Sequence, residues 1–242
     1  PALAEQLCQG MIIVSFADGP ASDAAWERIA AFAAAMGVKM PALRTIRLMM
    51  EHHMLLFRLD FLRHSHLADI FKDQYRHHGG IRGVAEGVLG LRGLREDKEL
   101  AARFTAFERL PEDTLGNRFF RHYRENGFSF PGEKLGFPVA GAYHDFAHVL
   151  GGYGTTPEEE MLVGGMTAGF RDSNPFYVLI FVHLTFGAGI NMTPLPQPVT
   201  KGVLAEPGLA ERFLRSIERG SGMNTDLSDN WDFWPLVGLP ID

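Results

Sequence analysis

The residues with the clearest potential for chemistry are His144, Asp145 and His148, which lie in the segment His-Asp-Phe-Ala-His. On an α-helix, positions i and i+4 share a face, and their Cβ atoms lie about 5–6 Å apart. Both imidazoles can therefore point at one metal ion. Asp145 lies one position round the helix, where its carboxylate could bind the ion from the edge or orient a histidine.

Glu160 adds a carboxylate from the next predicted helix. Thr156 and Glu159 have the spacing of a capping box, and Pro157 suits the first helical position, so a helix is predicted to begin there. A short Gly-rich turn between two antiparallel helices would bring Glu160 opposite the histidine pair. Two histidines and a carboxylate form a mixed nitrogen and oxygen set that suits zinc or another divalent ion. The alternative is an ordinary interior helix on which Asp145 forms a salt bridge.

Apolar spacing and helix-capping residues predict helices along nearly the whole chain. The predicted spans are 22–35, 41–76, 99–110, 114–125, 139–151, 157–170, 176–190 and 204–219. A short β-branched run at 11–16 could form a lone strand. The expected fold is therefore one all-α domain over residues 1–242, a helical bundle with a helix–helix metal motif. Its motif region covers about residues 108–190, and its C-terminal tail covers 220–242.

Composition excludes several classes of protein. The 242 residues are 46% hydrophobic and 21% charged, which is enough for a real core. A net charge of -6 with interleaved acids and bases predicts no nucleic-acid partner. The single cysteine, Cys8, excludes an internal disulfide framework and favours a reducing compartment.

Targeting and membrane signals are weak. Residues 1–35 lack the basic start of a secretory signal, so the protein is expected to be cytoplasmic rather than secreted. The apolar run 176–190 is shorter than the approximately 20 residues of a spanning helix. We therefore expect it to be a buried core helix or a lipid-facing one.

The spacing of the motif, His-Asp-x-x-His followed after eleven residues by Glu, resembles the signature of the coenzyme Q (ubiquinone) biosynthesis protein 4 family. Residues 110–116, Leu-Pro-Glu-Asp-Thr-Leu-Gly, are similar to that family's entry segment. Residues 148–153, His-Val-Leu-Gly-Gly-Tyr, are similar to its continuation after the second histidine. The resemblance covers about residues 108–190.

This resemblance implies an all-helical protein with a divalent metal, usually zinc, held by His144, Asp145, His148 and Glu160. It also implies a polyprenyl-quinone precursor or another isoprenoid lipid as ligand, other quinone-biosynthesis proteins as partners, and peripheral contact with the inner face of the membrane. The family has been described as an enzyme that replaces the ring C1 carboxylate with hydroxyl. In that role Asp145 and Glu160 are the candidate catalytic proton carriers.

Four further residues are weaker candidates for binding the substrate: His183, Phe176, Phe186 and Arg121. His183 is either a core histidine or a donor to a quinone ring. The two phenylalanines belong either to the core or to a surface for the prenyl tail. Arg121 either lies on a charged outer face or contacts an anionic lipid headgroup or a prenyl phosphate.

Three functions remain open from the sequence. The first is the metal-dependent enzyme, and the second is a non-catalytic scaffold or prenyl-lipid-binding protein whose metal locks two helices together. The third is an HD-type phosphohydrolase, in which His122 and Asp172 would complete the metal site. A homodimer is compatible with each of them.

Overall fold

The computed structural model describes residues 2–65, 96–192 and 199–241, together with scattered positions between 66 and 95. Within these residues the chain forms helices and no strand, which confirms the all-α prediction. The α-helices of the continuous ranges are α1 (Ala2–Val14), α2 (Asp23–Met36), α3 (Pro41–Met50), α4 (Met54–His64), α5 (Lys98–Thr105), α6 (Leu115–Asn126), α7 (Ala142–Gly151), α8 (Pro157–Phe170), α9 (Pro175–Val182) and α10 (Leu209–Ser221). Among the described helices, none has the length and apolar character needed to cross a membrane.

The two helices that flank the histidine motif begin at side-chain caps. The Thr114 hydroxyl accepts a hydrogen bond from the Asn117 amide at the start of α6. The Thr156 hydroxyl accepts one from the Glu159 amide at the start of α8. Each cap satisfies a backbone donor that has no partner inside the helix, so these starts agree with the sequence. Gly127 ends α6 in the left-handed conformation, with φ of 68°.

The predicted helix over residues 41–76 is wrong, because the chain turns between α3 and α4. His52 adopts a left-handed φ of 61° there, and α4 packs back against α3. No Gly or Pro marks this turn, and the apolar spacing runs through it without interruption. The predicted continuation beyond His64 lies outside the continuous ranges that the structure describes.

Two further elements differ from the prediction. Residues 11–16 are not a strand, because α1 continues to Val14. The predicted helix 176–190 changes form at Val182, where α9 becomes a π-helix over His183–Gly187. The Ala188 amide donates to the His183 carbonyl at 2.9 Å, so one additional residue enters this turn.

The single-domain organisation stays a prediction, and the structure distinguishes two compact units in the chain. The first unit comprises residues 1–66 and 156–223. Its centre is the packing of α8 against α9 and α10. A Cβ atom placed on Gly220 of α10 would lie 2.0 Å from the Met166 carbonyl oxygen of α8. The backbones of these two helices are therefore in direct contact.

A buried carboxylate, Asp60, organises the α3–α4 pair of the first unit. The Thr45 hydroxyl donates to Asp60 Oδ2 at 2.7 Å, and it accepts from the Tyr177 hydroxyl at 3.1 Å. Arg44 Nε lies 3.6 Å from Asp60 Oδ1, and His64 Nδ1 lies 3.9 Å from Asp60 Oδ2. We call these five residues the Asp60 network. It supplies the partners that a buried carboxylate requires.

The second unit comprises residues 67–155 and 224–242 and has an aromatic core. The ring of Phe119 on α6 stacks on the ring of Phe146 on α7, with centroids 4.2 Å apart. Phe233 of the C-terminal tail also packs on Phe146, with ring centroids 4.6 Å apart. This core holds α6 against α7 and thereby fixes the helix that carries the histidine motif.

Candidate metal centre

The histidine motif lies on α7, which ends one turn after His148. Gly152 closes the helix in the left-handed conformation, and the chain then passes through a short turn to α8. Within this turn the Gly154 carbonyl lies 2.8 Å from His148 Nδ1. A carbonyl only accepts, so the Nδ1–H donates to it, and in the neutral ring Nε2 carries the lone pair. This contact gives His148 the tautomer and orientation of a metal ligand.

His144, His148 and Glu160 form a group whose potential ligand atoms all lie within 4.8 Å of one another. The two Nε2 atoms are 3.3 Å apart. Bonds of 2.0–2.1 Å at tetrahedral angles place two zinc-bound nitrogens at about this separation. The group could therefore hold a metal ion, and its donor atoms suit a divalent one.

Asp145 is outside this group of three, and its carboxylate is held by Tyr123. The Tyr123 hydroxyl donates to Asp145 Oδ2 at 2.5 Å, and Tyr123 itself is 2% exposed. Burial raises the pKa of Tyr123 well above its usual value, and the charge of Asp145 and this hydrogen bond raise it further. Tyr123 therefore remains protonated and keeps donating to Asp145. This arrangement suits the orienting role considered for Asp145.

His122 contacts the group by stacking. Its ring lies over the ring of His148, with centroids 5.3 Å apart and planes inclined by 28°. The stack restricts rotation of the His148 ring. The carboxylate of the three-residue group comes from Glu160. Neither His122 nor Asp172, the residues needed for a phosphohydrolase site, belongs to that group.

A cavity of about 410 Å³ lies beside His144 and Asp145 in the second unit. Its lining comprises Tyr123, Gly127, Phe128, Ser129, Leu135, Phe137, His144 and Asp145. Tyr123, His144 and Asp145 give it one polar wall. Phe128, Leu135 and Phe137 are respectively 41%, 66% and 36% exposed and give it an apolar opening.

Leu135 has an unusual position at this opening. It is a non-glycine residue with a φ of 66°, a conformation that side chains other than Gly, Asn and Asp rarely adopt. It also leaves two thirds of an apolar side chain in water. Strained backbone and exposed apolar surface together mark a site that an apolar ligand could cover.

The four weaker candidates lie outside this lining. Phe176, Phe186 and His183 are buried in the first unit, at 8%, 9% and 0% exposure. Arg121 is exposed, and its Nη2 donates to the Glu112 carbonyl at 3.2 Å. Tyr123 and the apolar opening were not among the site residues expected from the sequence. A signal existed for Tyr123, since a tyrosine on the apolar face of α6 requires an acceptor for its hydroxyl.

Neither protein-family models nor curated proteins match this chain. The family resemblance therefore rests on the motif residues themselves.

His183 predicts a pH dependence of stability. Burial lowers its pKa to about 4 from an ordinary value of 6.5, although the Nδ1–H bond to the Leu179 carbonyl partly opposes this shift. Between these two values the unfolded chain binds a proton that the folded chain does not. The free energy of unfolding should be at its full value above pH 6.5 and should fall by up to about 3 kcal/mol as the pH approaches 4.

Urea unfolding of His183→Asn at pH 7 and pH ~4.5 tests this expectation. The variant should lose less stability between the two pH values than the wild type does. His53→Asn is the matched control, since 57% of the His53 side chain is exposed to solvent. Equal losses in the wild type and in His183→Asn would show that His183 is not the group responsible.

Proposed function

We propose that this chain is a metal-dependent protein of ubiquinone biosynthesis that acts on a prenylated aromatic acid. The reaction exchanges the ring C1 carboxylate for a hydroxyl, and zinc is the favoured ion. The observation that carries the proposal is the His144, His148 and Glu160 group next to a cavity with one polar wall and an apolar opening. The motif spacing supports the same conclusion.

The cavity has the polarity that such a substrate needs. Its volume of about 410 Å³ falls in the usual range for small-molecule sites. The ring with its carboxylate and phenol oxygens would lie against Tyr123, His144 and Asp145. The prenyl tail would leave across Phe128, Leu135 and Phe137. This direction would cover the exposed side chain of Leu135, which otherwise remains in water.

Two carboxylates of the chain, Asp145 and Glu160, would transfer protons in the reaction. When bound, a divalent ion supplies Lewis acidity to the carboxylate and phenol oxygens. The bond between ring C1 and the carboxylate breaks, carbon dioxide leaves, and the electron pair stays on the ring. Dioxygen is the oxidant: one of its atoms becomes the new hydroxyl and the other leaves as water. Two electrons from an external donor and three protons complete the balance for the carboxylate form of the substrate, and Asp145 and Glu160 carry protons at the site.

Peripheral contact with the cytoplasmic face of the membrane belongs to the same proposal, because a polyprenyl substrate resides in lipid. The other quinone-biosynthesis proteins are its expected partners. The alternative, a scaffold or lipid-binding protein without turnover, shares the metal and the lipid but not the reaction.

The test is release of labelled carbon dioxide from a prenylated 4-hydroxybenzoate that carries its label in the carboxylate. Metal-loaded wild type should release it in air with a reductant present. Tyr123→Phe should lower the rate by roughly 10- to 100-fold at unchanged metal content, because Asp145 loses its orienting donor. Tyr75→Phe, at an exposed tyrosine, is the control. Absence of turnover in a metal-loaded protein that melts on metal removal would instead favour the scaffold.

A further inference from the structure

Helix α4 has its apolar and polar residues on unexpected faces. Its buried side contains Phe57, Phe61 and the carboxylate Asp60. Its exposed side contains four leucines. Their exposed fractions are 72% for Leu55, 53% for Leu56, 56% for Leu59 and 38% for Leu62. We call these four residues the leucine face, and contiguous exposed apolar surface of this kind typically marks an interaction site.

The orientation of α4 is fixed from its buried side. Thr45 donates to Asp60 at 2.7 Å, and Tyr177 in turn donates to Thr45. Rotating α4 to bury its leucines would remove Asp60 from these partners, and an unpartnered buried carboxylate is costly. The Asp60 network therefore keeps the leucine face directed toward solvent.

Two arginines flank the leucines. With 3.6 residues per turn, Leu55, Leu59 and Leu62 fall along one line of α4. Arg58 lies on one side of that line and Arg63 on the other, and both are exposed. An apolar stripe bordered by basic side chains is typical of helices that lie in a membrane interface.

The charge of the α3–α4 segment has the same sign. Residues 41–65 contain four arginines and two acidic residues, a formal charge of +2, whereas the chain as a whole carries -6. One of the two acids is the buried Asp60, so Glu51 is the exposed one. A negative surface would therefore attract this segment and repel much of the remaining chain.

We propose that the leucine face of α4 docks on a lipid membrane that contains anionic headgroups, with the leucines among the upper acyl chains and Arg58 and Arg63 at the phosphates. A second copy of the chain is a poorer occupant, because a symmetric contact would bring like-charged arginines together. This docking specifies the surface for the peripheral contact in the proposed function. It does not depend on the metal group.

Helix α1 provides a matched comparison. Leu3 and Leu7 are 68% and 51% exposed on one side of α1. That helix contains Glu5 and no Lys or Arg, so it lacks the basic border of α4. A change of two leucines to glutamine removes similar exposed apolar area from either helix, and only α4 should be sensitive to it.

The experiment is co-sedimentation of the full chain with vesicles of phosphatidylcholine, alone or mixed with phosphatidylglycerol. We expect binding to the mixed vesicles, reduced roughly tenfold or more in Leu55→Gln/Leu59→Gln. Arg58→Gln/Arg63→Gln should lose the preference for phosphatidylglycerol and its salt dependence. Leu3→Gln/Leu7→Gln should bind as the wild type does. All of these side chains are exposed, so thermal melts should show folded variants.

Three outcomes would overturn the docking proposal. The first is a wild type that does not sediment with the mixed vesicles. The second is an α1 leucine variant that loses as much vesicle binding as the α4 leucine variant. The third is a wild-type dimer that dissociates only when the α4 leucines are changed. His148→Ala separates the two proposals, because it should bind vesicles normally. Vesicle binding without a metal in the wild type would contradict the metal-dependent reaction and leave the docking intact. A metal without vesicle binding would contradict the docking, and with it the peripheral contact, and leave the metal group intact.

Discussion

Replacing His148 with alanine should abolish metal binding while the helices remain folded. His148 supplies one of three potential ligand atoms, and its Nδ1–H bond to Gly154 orients the ring. Changing a residue that merely supports a ligand typically weakens metal binding by 10- to 100-fold, so loss of a ligand itself should cost at least about 100-fold. Mass spectrometry of metal content after dialysis against a weak chelator measures this loss, and circular dichroism measures the helices.

The matched control for this prediction is His53→Ala, which removes an exposed histidine outside the group. It should retain the metal content of the wild type. Added zinc should raise the Tm of the wild type and of this control, because a ligand that binds the folded state stabilises it, and should leave the Tm of His148→Ala nearly unchanged. An alanine variant that loads as fully as the wild type, or a wild type that takes up no metal on reconstitution, would refute the site.

Replacing Gly220 with alanine should strongly destabilise the first unit. The added Cβ would lie 2.0 Å from the Met166 carbonyl oxygen and 3.0 Å from the Gly169 Cα. Both are backbone atoms, so no side-chain rotation can relieve the overlap, and α8 and α10 must separate. Overpacking typically costs 1–3 kcal/mol, and this rigid contact should cost about 3 kcal/mol or more. Urea unfolding at constant pH provides the measurement.

Gly10→Ala is the control for this backbone contact. Gly10 lies inside α1, and a Cβ there would meet no atom within 4 Å. Alanine favours the helix more than glycine does, so this variant should gain about 0.5–1 kcal/mol of stability. A Gly220→Ala protein as stable as the wild type would mean that α8 and α10 do not approach as closely as the structure has them.

The helices that carry the site could be predicted from the sequence where capping residues mark their starts. Thr114, Thr156 and Pro157 mark helix starts by their own hydrogen bonds and φ angles, which are local properties. The histidine pair and Glu160 followed from helix periodicity across one short turn. Tyr123 and the apolar opening were missed because their proximity to Asp145 depends on the tertiary packing of α6, α7 and the loop between them.

The fold was least predictable where tertiary contacts override local pattern. The turn at His52 interrupts an apolar spacing that continues from α3 into α4, and the contact that stabilises it joins Thr45 to Asp60. The π-helix at His183–Gly187 likewise has no residue signature. The exposure of the α4 leucines could not be inferred either. It follows from the burial of Asp60 on the opposite side of α4, which depends on its tertiary contact with Thr45.

The contact between Thr45 and Tyr177 also bears on how the chain is made. Their hydroxyl oxygens are 3.1 Å apart, although 132 residues separate them in the chain. At 5–20 residues per second, a ribosome would take roughly 7 to 26 s to add that length. During this interval Phe61 lacks the α9 rings of Tyr177 and Phe181 that later pack against it. The nascent α3–α4 pair would thus be apolar on two sides at once, and it would be a natural client for a chaperone until α9 has left the ribosome.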